Sequence, residues 1–381
     1  PAAGRLMNSH YSTRVVMGCC EATNPNLSGT LARPQVGQAW DWPSEEAALD
    51  RRTAVKGMVA AAGALTLGSC SPASQPGLTT LRLAFCGQLL CVIPYEVTRA
   101  RGHFSDEGFD VELVYTRGGN AAMQALVGGA VEYAGTSFDV ALQASANGAE
   151  ILRFASTGRL PLFALAVSPE QSEEIQAVRD LEGRAIGISG LGNADHALAL
   201  YVLDRAGADH NQVRFAAIGS NIYDALRIGQ VDAAMVQEPA LSLILDAQGT
   251  ELVNFMEIEQ ARAQLGGLYE FMGVAVRASE RNQRKAEMRK LAAALARGLN
   301  DTRTIPPDEI IEALPNALVV GGDTEQLRGI IARYRLSLYP ESVGIDLEAA
   351  RRVESAQQLA GLLTPGSVDL EALLDMDLLE G

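Results

Sequence analysis

The feature that most constrains the fold is an alternation of strand and helix patterns that occurs twice along the chain. The first set predicts strands over residues 81–85, 108–115, 131–134 and 151–156, separated by helices from residues 93, 121 and 138. The second set predicts strands over residues 185–189, 213–217 and 231–236, with helices from residues 194, 223 and 240. Because strands that alternate with helices form βαβ units, each set predicts a mainly parallel sheet covered by helices.

Two short apolar runs, at residues 162–167 and 271–276, bracket the second set. They would let the chain cross from one lobe to a second lobe and return, which predicts a hinged, two-lobed α/β protein with a cleft between the lobes. The alternative is one continuous doubly wound sheet. From residue 284 onward the sequence predicts helices that pack back on the first lobe, over residues 284–299, 307–314, 323–337, 346–362 and 368–379.

The charge of the chain limits its partners. The 381 residues include 46 acidic and 31 basic ones, which gives a net charge of −15. An acidic body of this kind argues against nucleic acid, whose recognition depends on a basic surface. The histidines after residue 70 are His103, His196 and His210, and they are scattered without the spacing of metal ligands. The sequence therefore predicts no catalytic residue, no metal site and no cofactor.

Four motifs follow one another along the chain: RGHFSDEGFDVE at 101–112, ALVGGAVEYA at 125–134, DLEGRAIG at 180–187 and LRIGQVDAA at 226–234. Together they resemble the solute-binding proteins of the nitrate, sulfonate, taurine, bicarbonate and thiamine-precursor ABC importers. The resemblance implies a periplasmic-binding-protein-like fold of type II, with lobe one over 79–165, lobe two over 166–271, and a return to lobe one with C-terminal helices over 272–381. It also implies a monomer that delivers a small-molecule ligand to ABC permease and ATPase subunits.

By this resemblance the ligand lies among the loops at the carboxyl ends of the strands. Lobe one offers Gly87, Gln88, Thr116, Arg117, Gly118, Gly119, Asn120, Gly135, Thr136 and Ser137, and lobe two offers Gly190, Gly192, Asn193, Ser220, Asn221, Gln237 and Glu238. Glycine and small polar residues before a helix present free N–H groups to a ligand, although the same residues also cap helices. Arg117, or Arg159, would bind an oxyanion, whereas Glu238 suits a ligand with an N–H donor or a cationic nitrogen. We favour a ligand with an N–H donor or a cationic nitrogen.

Other functions remain as alternatives. A yeast-type synthase of the thiamine pyrimidine shares this type of fold, but it needs a cofactor-binding lysine and a cysteine-rich motif. Here Lys285 and Lys290 are the lysines after residue 70, both fall on one polar helix well after the second lobe, and no cysteine cluster occurs, which argues strongly against this enzyme. A dinucleotide site at Gly190 and Gly192 fails because Asp195 stands where that pattern needs Gly or Ala. A two-lobed enzyme like those of the menaquinone pathway, and a sensor that reports ligand to a membrane kinase, stay open.

The segment DRRTAVKGMVAAAGALTLGSCS at residues 50–71 resembles a bacterial lipoprotein signal. Arg51, Arg52 and Lys56 precede an apolar run that is too short to span a bilayer, and Cys70 follows in the position of the lipid-bearing cysteine. This predicts a leader over 1–69, a linker over 70–78 and an exported protein held by its lipid on the extracytoplasmic face of the membrane. The paired arginines resemble a twin-arginine signal. The alternative is a buried alanine-rich helix.

Two cysteines remain in the body of the chain, Cys86 and Cys91. In an oxidising exterior they could form a local disulfide, and their spacing is compatible with one without requiring it. The alternative is a pair of buried free thiols.

Overall fold

The structure is a computed structural model that describes residues 77–319 and 323–379. The segment with the predicted export signal, and Cys70, lie outside these residues. Within them the chain forms two separate five-stranded sheets, each with its own helices. The two-lobed expectation is therefore confirmed, and the alternative of one continuous sheet is wrong.

Lobe one begins with the elements of the first predicted set. They are β1 (Thr79–Cys86), α1 (Leu89–Ala100), α2 (His103–Asp106), β2 (Phe109–Thr116), α3 (Gly119–Val127), β3 (Tyr133–Ser137), α4 (Phe138–Ala146) and β4 (Ile151–Ser156). Strand β3 is buried along its whole length and α1 is buried along nearly all of its length, so this lobe has a core on both faces of its sheet.

Lobe two contains the second set and two further elements before the chain returns. Its elements are β5 (Ala164–Val167), β6 (Ala185–Ile188), α5 (Ala194–Arg205), β7 (Arg214–Ala217), α6 (Ile222–Arg227), β8 (Ala233–Val236), α7 (Ala240–Asp246), β9 (Thr250–Asn254) and α8 (Ile258–Leu265), and the returning strand is β10 (Met272–Arg277). Strand β9 and helix α8 were not predicted. Their sequences, TELVN and IEQARAQL, carry too many polar residues for a clear apolar period.

The two apolar runs become the strands that join the lobes. Strand β10 lies between β3 and β4 and is antiparallel to both, which gives lobe one the order β2-β1-β3-β10-β4. Strand β5 lies between β8 and β9, also antiparallel, in the order β7-β6-β8-β5-β9. Because each joining strand has neighbours on both edges and is buried on both faces, its sequence is apolar without alternation.

The remaining chain is helical, as expected. Its helices are α9 (Arg281–Thr304), α10 (Pro307–Ala313), α11 (Asn316–Val319), α12 (Thr324–Leu338), α13 (Leu347–Leu359) and α14 (Leu370–Leu373). Helix α9 packs on α1, and Gly298 makes this close approach possible: a Cβ at that position would stand 1.7 Å from Thr98 Oγ1.

The C-terminal helices also contact lobe two. The Asn254 side chain, at the end of β9, donates a hydrogen bond to the Tyr334 hydroxyl of α12 at 3.1 Å. Helix α13 packs against both α4 and α5 and therefore bridges the two lobes. Sequence reasoning expected packing on lobe one alone, since an amphipathic pattern identifies a buried face without saying what covers it.

Cys86 and Cys91 form a disulfide that links the end of β1 to the first turn of α1, with their Cα atoms 6.4 Å apart. None of the described helices is both long and apolar enough to cross a membrane.

Candidate functional site

Two adjoining cavities lie between the lobes. The smaller has a volume of about 40 Å³ and the larger about 320 Å³. Their common wall contains Gln88, Phe163, Ser189, Asp195 and Gln237. A single water needs roughly 10–15 Å³ of cavity volume measured in this way, so the two cavities together have room for a small molecule. We call the two cavities together the cleft.

The walls of the cleft come from both lobes, at the ends of parallel strands. Gln88 follows β1, the loop before α3 follows β2, Ser189 follows β6, and Gln237 follows β8. Carboxyl ends of parallel strands meet at one edge of a sheet, and the two sheets turn these edges toward each other. The cleft is therefore where the motif-bearing loops of the two lobes converge.

Of the residues singled out from the sequence, those that line the cleft are Gln88, Arg117, Gly118, Gly119, Ser137, Asn193, Gln237 and Glu238. Gly190 and Gly192 lie in the loop that carries Asn193. Asn221 is exposed just before α6, and nothing is described of the Ser220 side chain.

Four other residues of that set lie behind or beside the walls. The Thr116 hydroxyl is 3.0 Å from the Phe85 carbonyl oxygen and 2.9 Å from that of Gly118, and Gly87 donates to the Thr116 carbonyl at 3.0 Å. Gly135 lies against the Tyr95 ring, and Thr136 is fully buried. These contacts hold the loops in place.

Glu238 is buried and already has partners. Its carboxylate accepts hydrogen bonds from the Ser242 amide and hydroxyl, both at 3.1 Å, and burial raises its pKa. Arg117, in contrast, has an exposed side chain, which makes no hydrogen bond or ion pair with the described residues. Arg159 is not among the residues that line the cleft, and its guanidinium donates to the Ser337 carbonyl at 2.9 Å.

Sequence reasoning missed Asp195. It is fully buried in the first turn of α5 and lines both cavities. Its carboxylate accepts hydrogen bonds from the Ser189 amide and from the Ser189 hydroxyl, the latter at 2.8 Å, and burial raises its pKa to about 6. An acidic residue in the first turn of a helix that follows a strand was the available signal.

The apolar part of the walls was also missed. The chain between β4 and β5 and the chain between α8 and β10 connect the lobes, and we call them the joining segments. Phe163 lies on the first and Phe271 on the second, and their rings meet edge to face with centroids 6.0 Å apart. Tyr223 and Met235 line the larger cavity. Aromatic walls with a few polar groups are typical of a site for a small organic molecule.

The two joining segments run side by side behind the cleft. Thr157 donates to the Met272 carbonyl at 2.7 Å, and Tyr269 donates to the Arg159 carbonyl at 3.0 Å. Next to them lies a buried ion pair between Arg153 of β4 and Glu270, in which Arg153 Nη2 is 3.1 Å from Glu270 Oε1. These contacts make the joining segments a defined hinge.

Several of the solved structures that resemble this chain are periplasmic binding proteins. One is the alkanesulfonate-binding protein SsuA from Xanthomonas axonopodis pv. citri bound to MOPS, with 19% identity and a TM-score of 0.62 over 79% of this chain and 99% of that one. Another is the nitrate-binding protein NrtA from Synechocystis PCC 6803, with 13% identity and a TM-score of 0.64 over 81% and 89%.

A third structure, from Bordetella bronchiseptica RB50, has 23% identity and a TM-score of 0.71 over 79% of this chain and 96% of that one. At these identities the likeness establishes the fold. A comparison with curated protein sequences finds no match. The model of the NMT1/THI5-like family matches residues 91–309, which is more than half of the chain, and the chain belongs to that family.

Proposed function

We propose that this protein is the solute-binding component of an ABC importer, which captures a small ligand in the cleft and delivers it to the permease and ATPase subunits. The observation that carries the proposal is the cleft itself, lined from both lobes by polar loops and aromatic side chains. Two side-by-side segments join the lobes and C-terminal helices bridge them, and we expect the lobes to close on a ligand by rotation about the joining segments.

The walls favour a ligand with an N–H donor or a cationic nitrogen, such as an aminopyrimidine. Asp195 and Glu238 are buried acids, whereas Arg117 is the single basic side chain among the described wall residues. An exposed guanidinium is screened by solvent and gives a weak hold on an anion. An oxyanion held by Arg117 and the amides of Gly118 and Gly119 is the competing ligand class.

The same proposal includes the location and state of the protein. Exported proteins of this fold work outside the cytoplasm, and the sequence at residues 50–71 supports a lipid anchor at Cys70. We propose that the protein acts as a monomer with lobe boundaries at residues 79–165, 166–271 and 272–381. Binding, and not catalysis, is the activity we propose.

A thermal-shift screen tests this function. The purified protein would be mixed with nitrate, bicarbonate, sulfonates, aminopyrimidines and flavins, and a compound at 100 times its dissociation constant would add about 2.7 kcal/mol of stability. The ligand found would then be titrated into Glu238→Gln and Arg117→Gln. We expect affinity to fall roughly tenfold or more in the first and hardly at all in the second. The reverse ranking would assign the cleft to an oxyanion, and a null result for every compound would reject the proposed ligand classes.

A further inference from the structure

A direct hydrogen bond joins the two lobes beside the smaller cavity. The Asn120 side-chain amide, in the first turn of α3 in lobe one, donates to Asn193 Oδ1 of lobe two at 2.6 Å. Asn193 comes immediately before α5 and lines the cavity. This bond exists only when the lobes are closed on each other, because its two partners belong to different lobes.

The bond continues into lobe two as a chain with a single direction. Asn193 Nδ2 donates to Ser189 Oγ at 2.9 Å, and Ser189 Oγ donates to Asp195 Oδ1 at 2.8 Å. Each member accepts from the one before it and donates to the next. Such chains strengthen one another by polarisation in a low-dielectric interior. The chain ends on the carboxylate of Asp195. When the lobes close, Asn120 joins the chain as a further donor, and this stabilises the negative charge of Asp195.

Hydrogen-bond donors, and not a positively charged side chain, stabilise the negative charge of Asp195. No arginine, lysine or histidine among the described residues forms an ion pair with it. The neighbouring His196 accepts from the Gly192 amide at 3.1 Å, and burial lowers its pKa, which keeps the imidazole neutral. A buried carboxylate without a counter-ion on the wall of a cavity is a strong acceptor for a donor that arrives with the ligand.

A second acceptor lies on the same wall. The side-chain oxygen of Gln237 is buried, lines both cavities and has no hydrogen-bond partner among the described residues. A buried acceptor without a donor costs about 1–3 kcal/mol, which a ligand N–H would recover. Asp195 and Gln237 thus present two acceptors to a donor group of the ligand, and the negative charge of Asp195 would repel an oxyanion.

We propose that Asp195 is the residue that recognises the positively charged or N–H-donating group of the ligand, and that Asn120, Asn193 and Ser189 couple the stabilisation of its negative charge to closure of the lobes. This inference rests on the proposed binding function. Asp195 and Gln237 determine specificity, and the three residues of the chain are positioning residues. The opposing explanation is that Asp195 only holds the loop between Ser189 and Asn193.

The test compares two sets of probes by isothermal calorimetry on the whole protein. The first set carries N–H donors or positive nitrogen: cytosine, 4-aminopyrimidine and agmatine. The second contains oxyanions: nitrate, bicarbonate and methanesulfonate. We expect the wild type to bind a member of the first set, and Asp195→Asn to lose roughly ten- to a hundredfold in affinity for it. The matched control is Asp246→Asn, an exposed acid on α7, which should bind as the wild type does.

The coupling is tested from the opposite lobe. Asn120→Ala should weaken the same probe roughly two- to tenfold, chiefly through faster dissociation, and should raise the pKa of Asp195 measured by carboxyl carbon NMR. Asn300→Ala, an exposed asparagine on α9, is the control for an asparagine-to-alanine change. A loop-holding role for Asp195 would leave both readouts unchanged in Asn120→Ala. If Asp195→Asn does not fold, Ser189→Ala keeps the carboxylate and removes its hydroxyl donor, and it should weaken binding by a similar two- to tenfold.

The outcomes distinguish the role of Asp195 from the proposed solute-binding function. Binding of oxyanions alone, or equal affinity of Asp195→Asn and wild type, would overturn the role of Asp195 and leave a solute-binding protein. Equal behaviour of Asn120→Ala and Asn300→Ala would overturn the coupling. Folded wild type that binds no probe of either set would overturn both.

Discussion

The buried ion pair beside the hinge allows a sharp test of what holds the lobes in place. Arg153 and Glu270 have side chains that are 0% and 2% exposed, and Arg153 also donates to the carbonyls of Thr136 at 3.0 Å and Phe271 at 2.7 Å. Glu270→Gln keeps the shape and removes the negative charge. Because an arginine cannot lose its proton, the variant leaves a buried positive charge unpaired, and we expect it to lower the free energy of unfolding by about 3–5 kcal/mol.

Removing the other partner should cost a similar amount, although for a different reason. Burial raises the pKa of Glu270, so in Arg153→Met the carboxyl can take up a proton and become neutral. The variant still leaves the Thr136 and Phe271 carbonyls without their donor, at about 1–3 kcal/mol for each buried group. The double variant Arg153→Met/Glu270→Leu should therefore be less destabilised than the sum of the two single variants.

The assay is urea unfolding followed by circular dichroism at pH 7. The control is Glu341→Gln, which removes the charge of an ion pair with Arg303 whose acid is 80% exposed, and which should change stability by at most about 1 kcal/mol. If Glu270→Gln changed stability as little as this control does, a structural role for the buried pair would be refuted.

Three further predictions concern packing, protonation and anchoring. Gly298→Ala places a methyl group against Thr98 and should cost about 1–3 kcal/mol in urea unfolding, whereas Gly329→Ala, with open space around it on α12, should be neutral or stabilising. Burial raises the pKa of Asp139 to about 6, above its value of roughly 3.9 in the unfolded chain, so the contribution of Asp139 to folding stability should fall as pH rises from about 4 to 6. Asp139→Asn should remove this contribution, so that the variant gains stability relative to the wild type over that range in thermal melts; an unchanged difference between the two would contradict the assignment. Cys70→Ser should move the protein from the membrane fraction to the soluble fraction, and a soluble wild type that keeps residues 1–69 would contradict the lipid anchor.

Much of the fold could be predicted because its strands are short, apolar and bounded by glycine turns. Strand β4 coincides with the predicted residues 151–156, and the apolar runs at 162–167 and 271–276 became the strands that join the lobes. Strand β9 and helix α8 escaped because packing, and not local pattern, determines them. The bridging contacts of α12 and α13 escaped for the same reason, since they join residues far apart in the sequence.

The candidate site divides in the same way. The loops that reach the cleft follow from the order of strands and helices, so Gln88, Gly118 and Gln237 could be placed from the sequence. The function of an individual side chain depends on what surrounds it. Glu238 was expected to contact the ligand, but it also holds the first turn of α7 through Ser242. Asp195 is a candidate because it is buried in the cleft wall, and the spacing of residues in the sequence does not show burial.

The most direct test of the account is whether a ligand closes the two lobes. Small-angle X-ray scattering would compare the free protein with the protein saturated by the ligand from the screen, with saturation verified by calorimetry. We expect the radius of gyration to decrease on binding, because a rigid-body rotation about the joining segments brings the lobes together. An unchanged scattering curve at verified saturation would contradict a cleft that closes on its ligand.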